Sequence, residues 1–143
     1  MALRLRQIVL DTQDARGLAS FYAALLGGRY RPGDEPPADG SDDRAEWVAL
    51  RTPEGVRLAF QRVDRLRRAT WPEGEHPQQL HLDLMVADAA ELEEQRERAV
   101  ALGAEVIDDQ SDDTEGPLYV FADPSGHPFC IFVAEDLDAL VDW

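Results

Sequence analysis

Lysine and asparagine are absent from this 143-residue sequence, and cysteine occurs once. A lone Cys130 cannot close an internal disulfide, so the fold must hold by packing alone. The opening residues, Met1-Ala2-Leu3-Arg4-Leu5-Arg6, lack the long apolar core of a secretion signal. A reducing cytoplasm is the expected location. No apolar run approaches the ~18–20 residues that cross a bilayer. All 14 basic residues are arginine, which points to a GC-rich genome and carries no functional meaning. They face 29 acids, a formal charge of −15. Such a surface repels phosphate backbones and anionic lipid, which argues against nucleic-acid and membrane partners. With 44% apolar residues, 9 Pro and 10 Gly, the chain is not disordered, collagenous or a coiled coil. A chain of this length buries roughly 68–70% of its unfolded surface and needs no metal or disulfide simply to fold.

What the sequence does contain is an internal repeat. Gln7-Ile8-Val9-Leu10-Asp11 parallels His81-Leu82-Asp83-Leu84-Met85, 74 residues later. Pro53-Glu54-Gly55-Val56-Arg57-Leu58 parallels Pro124-Ser125-Gly126-His127-Pro128-Phe129, 71 residues later. Between these landmarks each copy has an Ala-rich helical stretch, 15–26 and 89–102, that runs into glycine. The period therefore predicts two β-α-β-β-β units. Asp14 and Asp88 are N-cap candidates, and Glu91 completes a capping-box pattern with Asp88. Leu18, Phe21, Tyr22 and Leu25 form one apolar helical stripe. Leu92, Ala99 and Val100 form a thinner one.

Strand alternation separates a core face from an open face. Ile8 and Leu10 oppose Gln7, Val9 and Asp11. Leu58 and Phe60 oppose Ala59 and Gln61. Leu80, Leu82, Leu84 and Val86 oppose His81, Asp83 and Met85. Phe129, Ile131 and Val133 oppose Cys130 and Phe132. An imidazole and a carboxylate suit a wet concavity better than a dry core. The predicted fold class is α+β, two βαβββ modules forming a curved mixed sheet with helices outside. Residues 32–43 read as an exposed, mobile acidic loop. Trp71, in the segment between the copies, either plugs a groove or contacts a partner.

The doubled unit resembles the vicinal oxygen chelate superfamily, which contains glyoxalase I, extradiol dioxygenases and bleomycin-resistance proteins. The resemblance rests on Gln7-Ile8-Val9-Leu10-Asp11, on Phe21-Tyr22-Ala23-Ala24-Leu25-Leu26-Gly27, and on Asp123-Pro124-Ser125-Gly126-His127-Pro128-Phe129. It implies a single glyoxalase-like domain over residues 1–143: module 1 at about 4–62, a linker at 63–77, module 2 at about 78–134, and a tail at 135–143. It also implies a homodimer with a ligand site in the concavity. In the superfamily's enzymes a divalent metal is held from the first and last strand of each module. The matching positions here are Gln7, Ala59, His81 and Cys130. Ala59 cannot ligate, and neither late strand offers a carboxylate, so no metal and no cofactor is expected.

Each singled-out residue also has a plainer role. His81 without metal partners is a hydrogen-bonded cavity residue, and Asp83 either orients it or is solvated. Cys130 reads as a small buried hydrophobe rather than a nucleophile. His127 reads as a turn contact. The leading expectation is a metal-independent binding protein for an aromatic or cationic small molecule, with no catalytic residues. Its ligand site would comprise Gln7, Trp47, Gln61, Trp71, His81, Asp83, Cys130 and Phe132, with Phe60 and Tyr119 as further walls. The alternative is a glyoxalase-type lyase, isomerase or dioxygenase with zinc at Gln7, His81 and Cys130. A third reading is a scaffold with a vestigial site.

Overall fold

The computed structural model describes residues 2–134 and Leu137. The expected tail, 135–143, thus lies outside the described residues apart from Leu137. The chain divides into two compact units, residues 1–66 and 67–143. The first holds β1 (Ile8–Thr12), α1 (Ala15–Leu26), β2 (Arg29–Tyr30), β3 (Trp47–Arg51) and β4 (Arg57–Arg62). The second holds β5 (Leu82–Val86), α2 (Ala89–Leu102), β6 (Glu105–Gln110), β7 (Leu118–Ala122) and β8 (Pro128–Val133). The sheet orders are β1-β4-β3-β2 and β5-β8-β7-β6, so the two units repeat one topology. In each, the first strand runs parallel to the last and the remaining pairs are antiparallel. Among the described residues no helix is long and apolar enough to cross a membrane.

In the first unit α1 starts where the Asp14 carboxylate accepts the Gly17 amide at 2.9 Å. It stops at Gly27, whose φ of +67° disfavours a side chain. Its stripe of Leu18, Phe21, Tyr22 and Leu25 is buried with Leu10, Val48, Leu50, Leu58 and Phe60 of the sheet. Tyr22 stacks on Phe60 with ring centroids 5.6 Å apart. The acidic loop is tethered, contrary to the mobile connection that its composition predicts. Asp34 accepts the Ala49 amide and pairs with Arg31, while Asp43 pairs with Arg16.

In the second unit α2 begins at Asp88, which accepts the Glu91 amide. Glu91 reaches back to the Ala87 amide, one residue earlier than a capping box requires. Only Leu92 and Ala99 are buried on this helix, and Val100 is exposed. Phe121 and Phe129 face one another across β7 and β8 and stack at 4.9 Å beneath it.

Corresponding turns join the last two strands of each unit. In the second, the buried Asp123 carboxylate accepts the amides of Ser125 at 2.8 Å and His127 at 3.0 Å. In the first, Thr52 holds the equivalent place, and its buried hydroxyl has no partner among the described residues. A hydroxyl is shorter than a carboxylate and reaches neither amide.

Candidate functional site

Helices cover one face of each sheet, and the other face carries the polar side chains. In the second unit, register places Asp83 beside Cys130, Cys130 beside Val120, and Val120 beside Asp108. Next to this row stand Met85, Phe132 and Leu118. His81 precedes β5 and lies on the Asp83 side of it. Ligand atoms of His81, Asp83 and Cys130 all lie within 4.8 Å of one another.

The contacts define the chemistry. His81 Nε2 lies 3.1 Å from Asp83 Oδ1, and Nδ1 lies 2.9 Å from Gln78 Oε1. A neutral imidazole donates from only one nitrogen. Two oxygen neighbours therefore suit the doubly protonated ring, or a Gln78 amide that presents its NH₂ instead. Trp71 meets the ring edge-on, with centroids 5.9 Å apart. Cys130 is 7% exposed. Burial first, then the negative charges of Asp83 and Asp108, push its thiol up to about 11. It is thus a protonated donor at neutral pH rather than a nucleophile.

In the first unit the open face carries Gln7, Trp47 and Gln61. Trp47 and Gln61 are direct neighbours across β3 and β4. Val9 and Ala59 pair where the second unit has Asp83 and Cys130. Of the eight ligand-site residues expected from the sequence, the structure gathers Trp71, His81, Asp83, Cys130 and Phe132 in one unit. Gln7, Trp47 and Gln61 fall in the other. Phe60 and Tyr119 are not cavity walls. Both are buried on the helix-facing side, Phe60 against Tyr22 and Tyr119 with its hydroxyl donating to Glu93 of α2.

Sequence reasoning missed Asp108 and Gln78. The register of β6 shifts between Val106 and Asp108. Strict alternation therefore misplaces everything beyond Ile107. Gln78 lies in a segment without periodicity and is visible only through its contact with His81.

A family model described as a glyoxalase-like domain matches residues 7–132. The chain belongs to that family. The match lies within the vicinal oxygen chelate superfamily, as the repeat implied. No curated protein matches the chain significantly. Among solved structures, a glyoxalase/bleomycin resistance protein/dioxygenase family enzyme from Burkholderia phytofirmans PsJN aligns with a TM-score of 0.64 at 15% identity, covering 89% of this chain and 95% of that one. The fosfomycin resistance protein FosX of Listeria monocytogenes, solved with Mn(II) and sulfate, aligns at 0.63 and 19% identity over 99% of this chain and 100% of its own. FosX from Mesorhizobium loti aligns at 0.64 and 15% identity, over 99% of each chain. At these identities the likeness is one of fold.

The residues present do not fit a hard cation such as Mn²⁺, which favours oxygen and imidazole donors in octahedral array. The His81–Asp83–Cys130 cluster offers one imidazole, one carboxylate and a thiol held in its protonated form. His81 Nε2 already faces Asp83. The corresponding row of the first unit is Val9 and Ala59. Zinc accepts all three donor types, but binding it would displace the Cys130 proton and break the His81–Asp83 contact.

Proposed function

We propose that this glyoxalase-like protein binds a small molecule without a metal and does not transform it. The reading rests on the grouping of His81, Asp83 and Cys130 on an open sheet face, with Trp71 and Phe132 beside them. Two carboxylates of that face, Asp83 and Asp108, lie on either side of Cys130 along one row. A cationic or hydrogen-bond-donating group suits the carboxylates, and a planar ring suits Trp71. The superfamily's drug-sequestering members are the concrete precedent. Metal-dependent turnover of the FosX kind is the competing reading, and the thiol in place of a carboxylate weighs against it.

The test is a fluorescence titration with a panel of aromatic amines and basic antibiotics. At least one should quench tryptophan emission saturably. Asp83→Ala should then weaken it about tenfold or more, the worth of a hydrogen bond to a charged group. Unchanged affinity in both Asp83→Ala and His81→Ala would place the site elsewhere.

We further propose a cytoplasmic homodimer. A buried free thiol suits a reducing compartment. Each four-stranded sheet has two edge strands whose unpaired backbone groups need covering. Sedimentation should give twice the mass of the chain, and a single-chain mass at micromolar concentration would contradict this.

A further inference from the structure

The open face of the first unit carries a feature that the ligand reading above does not use. Arg29 lies directly opposite Arg51 across β2 and β3, and Arg51 directly opposite Arg57 across β3 and β4. Three guanidinium side chains thus stand in one row over three adjacent strands. With Arg6 and Arg31 they line a cavity of about 550 Å³, within the range of small-molecule sites. Buried Ala49 forms part of its floor and leaves the space above the sheet open.

Like charges directly opposite one another destabilise a sheet. A chain with 29 acids and 14 arginines has ample means to neutralise such a row. Elsewhere it does so: Arg16, Arg62, Arg68 and Arg96 each pair with a carboxylate. Among the described residues Arg6, Arg29, Arg51 and Arg57 have no ion pair, and no Asp or Glu lines the cavity. Arg31 alone is paired, with Asp34. Among the described residues, five arginines thus converge on a cavity that no acid lines.

We propose that this cavity is a binding site for a small polyanion, a molecule carrying two or more negative charges as phosphoryl or carboxylate groups. Planar guanidinium forks match both groups in bidentate geometry, and several together select multiple charge over single charge. The proposal does not rest on the His81–Asp83–Cys130 reading, which concerns a face of opposite charge in the other unit.

The experiment is calorimetric titration of the full chain with pyrophosphate and with citrate at low ionic strength, where screening is weak. At least one should bind saturably, and the tighter of the two reports whether the natural ligand is phosphoryl or carboxylate. The double variant Arg51→Gln/Arg57→Gln should weaken binding at least tenfold. Arg96→Gln, on α2, should leave it within twofold. Because the substitutions relieve repulsion, the double variant without ligand should melt no lower than the parent, which separates loss of the site from loss of the fold. Two results would overturn the proposal. One is no saturable binding of either anion by the parent; the other is affinity retained in the double variant.

Discussion

Cys130 in the folded protein should react with iodoacetamide at pH 7 about a hundredfold more slowly than an ordinary thiol. Only the thiolate attacks, and raising the thiol from 9.0 to about 11 removes two decades of thiolate. Burial is the first cause, and the Asp83 carboxylate, beside Cys130 in the β5–β8 register, is the second. Asp83→Asn should therefore speed alkylation, and the rate of the parent should climb with pH up to about 11. Linkage gives the matching trend in stability. Between about 9 and 11 the native thiol keeps a proton that the unfolded chain has lost. The contribution is fully present below that window and is lost as pH rises through it. A denaturant midpoint that holds steady up to pH 9 and then falls faster in the parent than in Cys130→Ala would show it. Rapid alkylation at pH 7 would contradict the whole assignment.

The largest loss of stability expected from a residue outside the aromatic core is that of Asp123→Ala. One carboxylate there satisfies two backbone amides inside a buried turn. Truncation leaves both amides without that acceptor, at a cost of about 3 kcal/mol for charge-assisted bonds of this kind. Asp123→Asn keeps one oxygen in place and should cost about half as much. Urea unfolding of the two variants checks the order, and a loss below about 0.5 kcal/mol for Asp123→Ala would show that the turn does not need its carboxylate. The equivalent turn in the first unit tolerates Thr52, whose hydroxyl stays unpartnered. The two modules have thus kept the same chain path with different means of holding it.

The repeat made the fold readable. Glycines that follow each helix, the matched Pro-x-Gly turns and the period-2 strands are local signals, and each survives in the structure. The faces of β1, β4, β5 and β8 were legible because nothing interrupts their alternation. β6 was not, since its register shift moves Asp108 onto the Cys130 row without any mark in the local pattern. Phe60 and Tyr119 were misassigned as walls because an aromatic side chain says nothing of which face it occupies unless its strand neighbours are weighed with it. The arginine row was invisible for a different reason. Arg6, Arg29, Arg51 and Arg57 come from separate segments, and only the strand order β1-β4-β3-β2 brings them together. The net charge of −15 even pointed the other way, toward cationic ligands alone.

The ligand should bind without metal. The measurement is the tryptophan-fluorescence titration repeated on protein treated with EDTA, and again after adding Mn²⁺ or Zn²⁺. Quenching by an aromatic amine should be saturable in the presence of chelator, unchanged by either metal and weakened in Asp83→Ala. Binding that disappears with EDTA and returns with one equivalent of metal, and is lost again in His81→Ala, would contradict it.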